Sequence, residues 1–136
     1  TEAPTTEAPV TEAPTSDLGQ QIANFACQFV GNPYVWGGTS LTNGADCSGF
    51  VQSVYKNFGY SLPRTCPPQS NAGTAVSLAA LAPGDLVFYD HGTGSCEHVG
   101  IYIGNGQIVH ASSSRTGIKI SNVNYSTPFK ACRIVN

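Results

Sequence analysis

The chain has 136 residues, 40% of them hydrophobic, which is room for one packed domain and too little for two. No apolar run approaches the ~20 residues of a helical membrane span. The net charge of −2 owes three of its acidic groups to Glu2, Glu7 and Glu12; residues 16–136 carry six Lys/Arg against five Asp/Glu, scattered rather than clustered, which excludes a nucleic-acid footprint.

Residues 1–15 read TEAPT-TEAPV-TEAPT, a five-residue repeat. Pro4, Pro9 and Pro14 forbid a helix there, and the composition builds no core. The segment is expected to be an extended spacer of at most about 45 Å, with threonines open to O-linked sugar. A spacer and the absence of methionine suggest a piece of a longer parent chain, with something upstream held at a distance.

The domain is expected over 16–136. Ser16 or Asp17 caps a first helix with apolar positions Leu18, Ile22, Phe25, Ala26 and Phe29, ended by Gly31-Asn32-Pro33. A glycine-rich loop runs from Tyr34 to Ala45. Asp46 then caps a second helix, which starts at Cys47 and reaches about Phe58 before Gly59. Residues 60–84 are loop-rich, with one short helix from Gln69. From Gly84 the pattern turns to strands: 85–89, 99–103, 107–111, 118–123 and 131–135. Helices first and strands afterwards point to an α+β fold, an antiparallel sheet with N-terminal helices packed on it.

The chemistry concentrates at Cys47. The start of a helix offers unpaired N–H groups and a dipole that favour a thiolate. His98 and His110 lie downstream in strand patterns, and cysteine followed by distant histidines is the layout of a cysteine peptidase. The hairpin between them decides whether both serve one site. A two-residue loop at Asn105-Gly106 pairs Gly104 with Gln107 and His110 with Ile101, which places the two histidines on opposite faces. A three-residue loop at Gly104-Asn105-Gly106 pairs Ile103 with Gln107 and His110 with Gly100, and puts both on one face about 7–8 Å apart. The three-residue loop is the expectation, with Gly100 leaving room for the Cys47 helix. Cys47 is then the nucleophile, His98 its base and acid, and His110 the group that orients His98. N–H groups at the helix start, with the Tyr34 hydroxyl, are candidate oxyanion donors. The set Cys47, His98, His110 and Cys96 could hold zinc, but no CxxC pair supports a metal site. His91, in a Gly-rich loop, reads as a solvated residue. With five cysteines, a secreted protein would leave one free. The connectivity stays open; Cys27–Cys132 and Cys66–Cys96 are candidate pairs, with Cys47 unpaired.

GNPYVWGG (31–38), DCSGFVQSVYKNFGYSLPRT (46–65), Gln69, LAPGDLVFY (81–89) and HVGIYIGNGQIVHAS (98–112) together resemble the NlpC-type family of bacterial cell-wall peptidases, a branch of the papain-like cysteine peptidases. The resemblance implies a papain-like fold with a five- to six-stranded sheet. It implies hydrolysis of peptidoglycan stem peptides, usually at the bond from the D-glutamate γ-carboxyl to an L-diamino acid. Cys47, His98 and His110 would be catalytic, and Tyr34, Asp46 and Ser48 would contact substrate. No metal or organic cofactor, a monomer, a secreted or surface-held location and a wall-binding domain upstream in the parent chain are implied. Two departures stand out: Cys66 occupies a position where the family usually has serine, and the loop 90–97 is rich in glycine and charge. A Cys66–Cys96 bridge would brace the rim of the cleft. The other readings are a catalytically silent wall-binding module, and an amidase or transpeptidase with the same triad.

Overall fold

The computed structural model describes residues 17–135. The expected spacer, 1–15, lies outside them. α1 (Asp17–Cys27) buries Ile22, Ala23 and Ala26 along one stripe. It stops before Phe29 because i→i−3 bonds from Gln28 and Phe29 tighten its last turn. A short hairpin, β1 (Thr39–Ser40) and β2 (Gly44–Ala45), leads into α2 (Cys47–Lys56). α3 (Cys66–Gln69) follows, earlier than expected, because Pro67 and Pro68 sit in its first turn, where a missing N–H costs nothing.

The sheet is built from β3 (Thr74–Ala75), β4 (Leu86–Tyr89), β5 (His98–Gly104), β6 (Gln107–Ser113), β7 (Gly117–Asn122) and β8 (Pro128–Arg133). Its order is β3-β8-β4-β5-β6-β7, antiparallel throughout. The helices cover one face, where Leu86, Phe88, Val99, Ile101, Val109 and Ala111 meet Ile22, Phe50, Val51 and Val54. Alternation sends Val87, Tyr89, Tyr102 and Ile108 into a smaller apolar layer on the other face. His98 and His110 lie on that second face, at the end of the sheet nearest the start of α2.

The hairpin differs from expectation in an instructive way. The loop is the two-residue one, Asn105-Gly106, with φ of +56° and +75°, and Gly104 pairs with Gln107. A bulge between Tyr102 and Gly104 then shifts the ladder by one, so that Tyr102 faces Ile108 and Ile101 faces Val109. His110 thus reaches the place opposite Gly100 that the three-residue loop would have given it. Gly100 does not make room for α2, which packs on the opposite face. A Cβ there would come within 2.7 Å of Ile108 and 3.3 Å of His110, so its bareness lets His110 lie flat beside β5.

All five cysteines are free thiols, which corrects both candidate disulfides. Cys27 ends α1, which packs over β5 and β6, whereas Cys132 lies two strands away on β8 and points its thiol at the Gln69 carbonyl. Cys66 and Cys96 do meet: the Cys66 thiol donates to the Cys96 carbonyl at 3.2 Å.

Candidate active site

Asp46 is the joint on which the site is hung. Its Oδ1 accepts from the Gly49 N–H at 2.8 Å and caps α2. Its Oδ2 accepts from the Gly37 N–H at 2.9 Å and fixes the Gly37-Gly38 turn. Arg64 closes a two-pronged ion pair on it, at 3.1 and 3.0 Å, and donates to the Ser48 hydroxyl at 3.0 Å. Burial works against the Asp46 carboxylate, yet the bonds from Arg64, Gly49 and Gly37, with the Arg64 charge, outweigh it and hold the carboxyl below its usual range. Gly49 allows this closeness, since a Cβ there would fall 2.1 Å from the Gly38 carbonyl oxygen. Gln69 donates to the carbonyls of Ser48 and Pro63 and ties α3 to the same turn.

Cys47 opens α2, half-buried, as the sequence indicated. The backbone N–H groups of Val99 and Ser48 point at its sulfur. The expected thiolate is not the resting form. Burial, then the neighbouring Cys66, push the thiol up to about 11, against the help of those N–H groups. Tyr34 stands beside it: burial, then the proximity of Cys47 and Asp46, raises the Tyr34 phenol.

His98 and His110 are buried, 6% and 0% exposed. His98 Nε2 and His110 Nδ1 lie 2.6 Å apart, and His110 Nε2 is 2.9 Å from the Ser121 hydroxyl on β7. Burial, then His110 and His91, push His98 down to about 3. Burial, then Lys119 and His91, push His110 down to about 4. Both rings are therefore neutral at ordinary pH, and their shared bond needs one donor and one acceptor. Two orders satisfy both contacts, because the Ser121 hydroxyl can accept or donate. In the order that serves a base, His98 carries its proton on Nε2 and donates to His110 Nδ1, and His110 donates from Nε2 to Ser121. That assignment leaves His98 Nδ1 as a bare acceptor beside the residue whose N–H meets the Cys47 sulfur.

The structure thus brings Cys47, Tyr34, Asp46 and Ser48 to one end of α2, and His98 and His110 together on the interior strands β5 and β6, where the Val99 N–H meets the Cys47 sulfur. Sequence reasoning passed over Arg64 and Ser121, and read His91 as solvated. Ser121 had a signal, two residues from Lys119, the partner of His110, on the same face of the next strand. His91 is exposed, as expected of a loop residue, yet its ring stacks on His98 with centroids 5.7 Å apart.

The sequence pattern of the NlpC/P60 family matches residues 31–135, which hold all of these groups. The chain belongs to the NlpC/P60 family. It is 42% identical over 105 residues to the gamma-D-glutamyl-L-lysine dipeptidyl-peptidase of Bacillus cereus, covering 76% of this chain and 31% of that protein. It is 46% identical over 111 residues to the gamma-DL-glutamyl hydrolase of Bacillus subtilis, covering 80% and 26%. The crystal structure of an NlpC/P60 family protein from Bacillus cereus superposes with a TM-score of 0.81 at 37% identity, over 90% of this chain and 42% of that one. The chain thus spans about a third or less of the length of these curated relatives.

Proposed function

We propose that this NlpC/P60 domain is a cysteine endopeptidase that cleaves peptidoglycan stem peptides at the bond from the D-glutamate γ-carboxyl to the following L-diamino acid, acting outside the cell on the wall. The observation that carries the reading is the meeting of the α2 start with β5: the Val99 N–H points at the Cys47 sulfur, and the adjacent His98 lies 2.6 Å from His110 Nδ1 through its Nε2. The names of both relatives add the substrate class, since each specifies a γ-glutamyl group.

The steps follow from the groups present. His98 takes the Cys47 proton on Nδ1 as the sulfur attacks the γ-carbonyl carbon. The imidazolium so formed keeps its Nε2–H on His110 Nδ1, where a neutral acceptor stabilises it. The carbonyl oxygen becomes an oxyanion beside the Cys47 N–H at the start of α2, the Gly49 N–H being held by Asp46, and beside the Tyr34 hydroxyl. His98 hands its proton to the leaving amine, and a γ-glutamyl thioester remains on Cys47. Water, deprotonated by His98, then releases it. Both Asp46 oxygens are taken by Gly37, Gly49 and Arg64, so Asp46 and Ser48 serve substrate through the walls they hold, while Tyr34 meets it.

The test is mass spectrometry of soluble fragments from two purified walls, one with diaminopimelate and one with lysine. The protein is expected to release fragments ending in D-glutamate from at least one wall, and Cys47→Ala none. No fragments from either wall, with Cys47 confirmed reduced, would overturn the reading in favour of a binding module or an acyl transferase.

A further inference from the structure

Two side chains from separate loops close over His98. His91 belongs to the β4–β5 loop, and its ring lies nearly parallel to that of His98, at 24°. Its Nε2 is 3.3 Å from the Tyr125 hydroxyl, which comes from the β7–β8 turn. Tyr125 in turn lays its ring on His110, with centroids 5.2 Å apart. Tyr89 of β4 completes the cage, 6.1 Å from His98 and 6.4 Å from His91, and is anchored by its hydroxyl to the Val123 carbonyl at 2.7 Å.

His91 is set in this place by its loop. Its φ is +50°, in the left-handed region, uncommon for residues with side chains although histidine is among those found there more often. The loop is built to keep it there. Gly92 N–H donates to Asp90 Oδ1 at 2.9 Å, the Thr93 hydroxyl to the Asp90 carbonyl at 2.8 Å, and Glu97 N–H to the Tyr89 carbonyl at 2.9 Å. A merely solvated loop histidine requires none of this.

We propose that His91 is a positioning residue for the reaction: braced by Tyr125, it roofs His98 and fixes the plane of its imidazole. The proposal rests on the reading of Cys47 and His98 as the reacting pair. The single bond at Nε2 sets where that nitrogen lies but lets the ring rock about the bond. A flat ring stacked on one side removes that freedom and keeps Nδ1 aimed at the thiol, where small misplacements cost rate.

The experiment measures kcat and KM on a γ-D-glutamyl stem peptide, and follows the His98 ring nitrogens by nitrogen NMR in the Cys47→Ala background. His91→Ala is expected to lower kcat about tenfold with KM within about twofold. It should also blur the single Nε2-protonated form of His98 into a mixture. His91→Phe, which keeps a flat ring, is expected to recover most of kcat and the single form. A raised KM with unchanged kcat would overturn the proposal, since His91 would then be touching substrate. So would a His91→Phe variant as slow as His91→Ala, or an unaltered kcat and His98 spectrum in His91→Ala. The NMR measurement needs no turnover, so failure of the unmodified protein to cleave would count against the proposed function while the spectra still decide the role of His91.

Discussion

A histidine base working near neutrality has to be unprotonated and has to offer a particular nitrogen. His98 owes the first to burial; in the order that leaves Nδ1 free, the second comes through a chain of bonds in which His110 donates to Ser121, a serine on a neighbouring strand. Removing that hydroxyl leaves the His110 Nε2–H without its acceptor in a buried place. His110 then gains by moving its proton to Nδ1, where it confronts the Nε2–H of His98 and reverses the order of the chain. Ser121→Ala is therefore expected to lower kcat about tenfold, the equivalent of one hydrogen bond, with KM nearly unchanged. Ser121→Thr should stay close to the unmodified protein. Steady-state kinetics on a stem peptide decides it, and equal kcat in all three would show that the His98–His110 contact alone fixes the proton order.

At the scale of elements, three segments converge on one carboxylate: the Gly37-Gly38 turn, the start of α2, and the Arg64 segment. Asp46→Ala removes a helix cap and the carboxylate partner of Arg64, and is expected to cost about 1–2 kcal/mol. Arg64→Ala removes a guanidinium whose side chain is 35% exposed, and is expected to cost less than about 1 kcal/mol. Urea unfolding of both variants gives the order, and a larger loss for Arg64→Ala would make the ion pair, not the cap, the main brace. The cap was legible because Asp46 immediately precedes an apolar period of 3.6, and the long strands were legible from their alternation. The partner Arg64 was not, because nothing local marks which distant cation will fold back onto a cap. β3 escaped notice because a two-residue edge strand carries no period. The hairpin shows a subtler limit: turn chemistry at Asn105-Gly106 is readable, but a bulge is set by packing of Ile103 against the core. Two compensating departures left the histidines where the simpler pairing had placed them.

For the molecule as a whole, the burial that keeps the two histidines neutral couples the site to global stability. Their folded values, about 3 for His98 and about 4 for His110, lie below the ~6.5 of an unfolded chain. Below about pH 6.5 the unfolded chain therefore binds protons that the folded one refuses. Stability is fully present above that pH and falls by up to about 1.4 kcal/mol per pH unit for each histidine on the way down toward pH 4. Asp46, held low, adds its own loss only below about pH 4, where the unfolded carboxyl takes up its proton. Urea titrations at pH 7, 6 and 5 are expected to show a steep decline, whereas a flat profile would mean that one of the rings is already charged in the fold. The decline has a consequence for catalysis. Since folded His98 stays an unprotonated base well below pH 6, loss of cleavage on the acid side should follow the fraction of protein unfolded rather than titration of the base. Activity and far-ultraviolet circular dichroism, recorded together as pH is lowered, should then fall along the same curve.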